Sequence, residues 1–176
     1  MIRRTGGELV DRTEYERIAT EYLDMVYKIA LNYTKSQADA DDVVQQTFYK
    51  LLTKKHSFVD EEHIKRWLIR VCVNECNSLF SGFWRKHVHL FAEKEESDLE
   101  ELVFTEAKSE DTLLLYEAIR KLPVKCRVVT YLFYYEGYKT QEIAKLLNIR
   151  EATVRTRLVR ARKLLKEELK EAWEDE

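Results

Sequence analysis

Apolar residues recur along the N-terminal half of the chain at steps of three and four. Tyr15, Ile18, Tyr22, Val26, Ile29 and Tyr33 form one such series. That period places all six on one side of a helix, so the pattern predicts an α-helix with a single buried face. Asp11 with Glu14 reads as a capping box opening it, and Ser36 with Asp39 as a second start. The next predicted helix buries Val43, Val44, Thr47, Phe48, Leu51 and Leu52. Thr53 to His63 reads as a loop, with Asp60 capping a third helix. Ile64, Trp67, Leu68, Val71, Cys72, Leu79 and Phe80 make that helix's stripe, and Gly82 marks its end. A basic, aromatic segment, "FWRKHVHLF", follows. Three helices of this length can share one core.

The pattern breaks between Glu93 and Asp111, where nine acids stand against two bases. A like-charged run repels itself and resists packing, so it predicts a linker. Periodicity resumes in "LLLYEAIRKL", and Pro123 opens a further helix as first-turn prolines do. Gly137 is a natural C-terminal stop. Thr140 is expected to cap a short helix from Gln141 to Leu147, "NIR" is a turn, and a last helix runs from about Glu151 towards Trp173. The predicted architecture is all-α. It has a tail over 1–12, a helical domain over 13–90, an acidic linker over 91–110 and a second helical domain over 111–176.

Composition supports this. Only four glycines and one proline occur in 176 residues, too few for a sheet joined by tight turns. Three cysteines, with no apolar leader ahead of them, favour a reduced, cytosolic compartment. No apolar run is long enough to span a bilayer, so no membrane insertion is expected.

Charge changes the picture more. The net charge is −2, yet Arg150 to Lys166 carries seven bases against one acid, Glu151. On a wheel of about 100° per residue, Val154, Leu158, Ala161, Leu165 and Leu169 make an apolar stripe. Arg155, Val159, Arg162 and Lys166 lie on one flank of the opposite side, and Thr156, Arg160 and Lys163 on the other. Arg157 falls beside the stripe, where its stem packs and its head snorkels. A short supporting helix, a tight turn and a second helix that presents bases outward describe a helix-turn-helix. Guanidinium groups suit guanine edges and phosphates alike. Thr140, at the start of the supporting helix, is a candidate phosphate donor.

Other chemistries find little support. Cys72 and Cys76 sit at i, i+4, but no paired CxxC completes a metal site, so buried core cysteines are the reading and no metal or cofactor is expected. There is no Gly-rich phosphate loop and no nucleophile motif, so the chain is not expected to be an enzyme.

The stretch "LPVKCRVVTYLFYYEGYKTQEIAKLLNIREATVRTRLVRARKLLK" resembles the promoter-reading domain of bacterial RNA polymerase sigma factors, and within them the extracytoplasmic-function group. The matching positions are Leu122–Pro123, Arg127, Glu136–Gly137, Glu142–Ile143–Ala144 and Thr153 through Arg162. "ADADDVVQQTFYKLL" resembles the segment of that family that binds the polymerase clamp helices, with Gln46 in place of the usual Glu. "IKRWLIRVCVNECNSLFSGFWRK" resembles the segment that opens and reads the −10 element. Asn148 stands where the family often has Gly, and Arg150 and Glu151 where a Ser cap is common.

The resemblance implies a detachable promoter-specificity subunit. Asp42, Gln45, Gln46 and Phe48 would contact core RNA polymerase. Lys54, Lys55, Phe58, Lys65, Arg66, Arg70, Asn74, Asn77, Arg85 and Lys86 would meet the −10 region, partly as melted DNA stacked on aromatics. Thr140, Thr153, Arg155, Thr156, Val159, Arg160, Arg162 and Lys163 would meet the double-stranded −35 element, with Arg155, Thr156, Val159 and Arg160 facing bases. An anti-sigma protein is an implied partner. The alternative is a stand-alone helix-turn-helix regulator, which would bind a palindromic duplex as a dimer.

Overall fold

The computed structural model describes residues 7–86 and 110–174, with side chains over 7–79 and 112–170. Its contacts divide the chain into two units, Met1–Lys94 and Glu95–Glu176. The acidic stretch expected as a linker lies mostly outside the described residues, as does the segment from His87 to Phe91.

Unit one holds α1 (Arg12–Thr34), α2 (Gln37–Thr53) and α3 (Glu61–Lys86). Each start follows from a short polar side chain. Asp11 accepts from the Glu14 N–H at 2.9 Å, Ser36 from the Asp39 N–H at 3.3 Å, and Asp60 from the His63 N–H at 2.7 Å. Each satisfies one of the donors a helix N-terminus leaves unpaired. α1 ends at Lys35 in the left-handed conformation, without a glycine. α3 runs four residues beyond the expected stop at Gly82 and includes Arg85 and Lys86.

The three helices pack on one another around Ile18, Val26, Ile29, Val43, Leu51, Leu68 and Ile69, all at most 2% exposed. Burying each aliphatic side chain contributes about 1.5–3 kcal/mol, so this shared core holds the unit together. Leu52 was expected inside but is exposed, because it lies one position past Leu51 on the wheel. Polar ties add register: Lys50 on α2 pairs with Glu75 on α3, and Arg17 on α1 with Glu61 on α3 at 2.9 Å. The three cysteines are buried and free. Cys72 donates to the Val26 carbonyl at 3.6 Å, and its neighbour Cys76, with burial, pushes its thiol pKa up.

Unit two holds α4 (Glu110–Lys121), α5 (Val124–Tyr134), α6 (Thr140–Leu147) and α7 (Glu151–Glu174). α7 packs against each of the other three. Val154, Leu158 and Ala161 are its buried stripe, and Leu122 and Cys126 meet Ala161 with Leu164 and Leu165 alongside. Gly137 has φ +73°, which the turn after α5 requires. Asn148 takes the left-handed conformation at φ 51° between α6 and α7, as its side-chain type tolerates.

One cation is structural. Arg127 is 2% exposed, and its Nη1 donates to the carbonyls of Arg120 and Leu122 at 2.8 and 3.0 Å. It therefore closes the C-terminal end of α4, whose last carbonyls lack helical partners. Burial lowers its pKa to about 10.

Candidate nucleic-acid interface

In unit two, α6 and α7 meet at a tight turn, and the outward side of α7 presents Arg155, Thr156, Val159, Arg160, Arg162 and Lys163. All six are exposed, Val159 by 62%. Thr153 is half-buried nearer the stripe, as is Arg157, which fits the expected packing of its stem.

These side chains are not equally available. Glu151 Oε1 accepts from Arg155 Nη2 at 2.7 Å, an i, i+4 pair, and from Thr140 Oγ1 at 2.7 Å. The Thr140 hydroxyl, first, and Arg155 hold the Glu151 carboxyl below its usual pKa. Arg162 Nε donates to the Tyr134 hydroxyl of α5 at 2.9 Å. Lys163 approaches Glu167 at 3.8 Å, and Thr156 Oγ1 donates to the Ala152 carbonyl at 2.9 Å. Arg160 has no polar partner among the described residues and is ready to meet an external acceptor.

One expectation at this junction needs correction. Thr140 is the first helical residue, and Lys139 occupies the cap position, where its N–H donates to Glu142 Oε2 at 2.9 Å. The Thr140 hydroxyl is engaged by Glu151, so it is not free for a phosphate without displacing that acid. The start of α7 has Arg150 at its lead, whose carbonyl accepts from Thr153 and Val154 at 2.9 and 3.3 Å. Glu151 in the first turn suits the positive end of the helix dipole.

In unit one, Arg66, Arg70, Asn74 and Asn77 recur at steps of four and three and are all exposed, so they share one face of α3. Arg66 pairs with Glu62 at 2.7 Å. Lys65 is half-buried and sits one residue step off that face. Arg85 and Lys86 continue the helix. Lys54 and Lys55 are exposed in the α2–α3 loop. Phe58 in that loop is half-buried, not open on both sides. His56 stacks on it at 4.8 Å and 8°, while Trp67 and His63 meet it edge-on at 5.8 and 5.6 Å. Trp67 is half-buried in the same cluster.

On α2, Asp42, Gln45 and Gln46 are exposed together. Phe48 is 5% exposed and meets Tyr15 edge-on at 6.3 Å. It is a core residue, as the buried series of α2 predicts, and lies beneath the polar face instead of on it.

Sequence reasoning missed Glu151, Tyr134 and His56. The i, i+4 spacing of Glu151 and Arg155 was a legible signal. Nothing in the linear pattern joins Tyr134 to Arg162 or Glu8 to His56.

Comparison with known proteins follows the same division. The family described as Sigma-70 region 2 matches residues 18–86, and that described as Sigma-70, region 4 matches residues 112–165. The chain is similar to the RNA polymerase sigma factor SigV of Bacillus subtilis, 31% identical over 85% of this chain and 87% of that protein. It is also similar to the ECF RNA polymerase sigma factor SigM of Mycobacterium tuberculosis, 26% identical over 90% of this chain and 82% of that protein. In fold it resembles the sigma factor RpoE of Bartonella quintana, solved in complex with the anti-sigma factor NepR. The TM-score is 0.71 at 22% identity, over 90% of this chain and 98% of that one. CnrH, solved with the cytosolic domain of CnrY, is similar at a TM-score of 0.60 and 20% identity, over 91% of this chain and 90% of that one. Regions 2 and 4 in order on one chain, together with the likeness to SigV along most of both lengths, place this protein in the extracytoplasmic-function group of the sigma-70 family of RNA polymerase sigma factors.

Proposed function

We propose that this chain is an alternative sigma factor that lends core RNA polymerase its promoter preference and has no chemistry of its own. The observation that carries the reading is the presence of both regions, 2 and 4, each as its own helical unit. Unit one docks on core polymerase through the exposed Asp42, Gln45 and Gln46. Its α3 face and the loop bearing Phe58 meet the −10 element as the duplex opens. Bases freed from the stack are trapped by stacking and by polar side chains such as Asn74 and Asn77. The basic side of α7 enters the major groove of the −35 element. There Arg160 reads a base edge, and Arg162 and Lys163 hold phosphates.

A protein partner that masks these faces fits the same reading, and the sigma factors similar in fold were solved in complex with the anti-sigma factor NepR and with the cytosolic domain of CnrY. No helix among the described residues is long and apolar enough to cross a membrane. Action in the cytoplasm, beside polymerase and DNA, accords with that and with three free cysteines. The test is a run-off transcription reaction with core polymerase, with and without the protein. Promoter-dependent transcript only in its presence is expected. Tight binding of a palindromic duplex by the protein alone, with no transcript, would instead mark a stand-alone regulator.

A further inference from the structure

The segment ahead of α1 is fastened to the α2–α3 loop. The Glu8 N–H donates to the His56 carbonyl at 3.1 Å, and the His56 N–H donates to the Glu8 carbonyl at 2.8 Å. Together they form an antiparallel bridge. The two backbones run close: a Cβ on Gly7 would lie 3.1 Å from Lys55 Cβ. Val10, 7% exposed, adds a buried side chain two residues beyond the bridge. Neither Glu8 nor Val10 falls within the region 2 match, which begins at residue 18.

His56 passes this restraint onward. Its side chain is buried, and Nε2 donates to the Leu51 carbonyl near the end of α2 at 3.0 Å. Its ring stacks on Phe58 and meets Trp67 edge-on at 4.5 Å. One side of His56 is therefore tied to the N-terminal segment, and the other sets the plane of Phe58. The loop has no regular structure of its own beyond that bridge. A loop of this kind samples many conformations unless something outside it removes them. Reading a base by stacking needs the aromatic ring held in place before the base arrives.

We propose that residues 7–10 are a positioning element for −10 recognition, acting through the Glu8–His56 bridge on the loop that carries Phe58. This inference rests on the reading of that loop as a −10 contact. Glu8→Pro in the full chain tests it, because proline removes one bridge donor and leaves the Asp11 cap of α1 in place. The variant is reconstituted with core polymerase and assayed on promoters altered base by base at −10 and at −35. The expected result is a roughly tenfold lower yield at the parent promoter, the population shift that loss of one or two backbone hydrogen bonds allows. Discrimination among −10 variants flattens, discrimination among −35 variants stays, and melting temperature and affinity for core polymerase match the parent. A chain lacking residues 1–8 is the second variant and is read the same way. Unchanged −10 discrimination in both, with Phe58→Ala flattening it, overturns the inference and leaves the loop's role standing. An equal loss at every promoter with a lowered melting temperature overturns it in favour of a purely structural bridge. If Phe58→Ala also leaves −10 discrimination unchanged, the loop reading itself falls, and the inference with it.

Discussion

The Thr140 hydroxyl at the start of α6 donates to the Glu151 carboxylate at the start of α7 at 2.7 Å. The same carboxylate oxygen accepts from Arg155 at 2.7 Å. The single acid of the basic stretch thus links the supporting helix to the recognition helix and holds one of its arginines. A phosphate arriving at Thr140 must compete with that acid.

Glu151→Gln should raise affinity for DNA of any sequence and steepen its salt dependence by about one counterion, because a repelling charge is removed and Arg155 is released. Preference at the base facing Arg155 should weaken. Fluorescence anisotropy with matched and scrambled −35 duplexes over a salt series reports both. Identical salt slopes for parent and variant would mean that Glu151 does not restrain Arg155.

The same group predicts a pH effect of known sign. Its folded pKa is depressed from 4.5. The link it provides is therefore fully present above the unfolded value and is lost as pH falls through the lower folded value. Acid titration of unit-two stability should show this loss in the parent and not in Glu151→Gln.

Arg160→Ala should cost about 1–3 kcal/mol on the −35 element and remove sequence preference at one position. The side chain has no internal partner among the described residues to be released, so the loss reads its external contact directly. An equal loss on all sequences would reassign Arg160 to phosphate.

Asp42→Ala should weaken binding to core polymerase by about 1–2 kcal/mol, roughly tenfold in affinity. The residue is exposed, so the melting temperature of unit one should hold. Undiminished co-purification with core enzyme would remove Asp42 from the interface.

His56 makes unit one sensitive to mild acid. Burial lowers its pKa from 6.5. The unfolded chain therefore takes up a proton before the folded one, and stability falls as pH drops from about 6.5 towards the folded value. Urea unfolding at several pH values should show this slope in the parent and a flatter one in His56→Gln.

Arg127→Met should destabilise unit two by about 2–4 kcal/mol, since one buried and one half-buried carbonyl lose their donor. Arg127→Lys should not restore it, because one ammonium on a flexible stem does not reproduce the planar fork. Thermal unfolding followed through unit two measures both.

Helix boundaries were legible where a short side chain acts on its own neighbours. Asp11, Ser36 and Asp60 each bond an N–H three residues on, so their roles are written in adjacent sequence. The two faces of α7 were legible for the same reason, since wheel position depends only on spacing. Cys72 and Cys76 were correctly read as core. Leu52 was misjudged, because which side of a helix faces its neighbours at a given depth depends on how those neighbours pack. The extension of α3 past Gly82 was also missed, since one glycine costs a helix only about 1 kcal/mol.

The sequence by itself determined an all-helical chain, its two cores, the outward basic array of α7 and the family motifs that span both units. These depend on local hydrogen bonds and on periods of a few residues. Only the tertiary structure decided which bases are available and which aromatic is held. Arg155 is bound by Glu151, Arg162 by Tyr134, and Arg127 serves α4; His56 links the N-terminal segment to Phe58. Apart from the Glu151–Arg155 pair, these contacts join residues that helical spacing does not bring together. Their geometry exists only once the helices have packed.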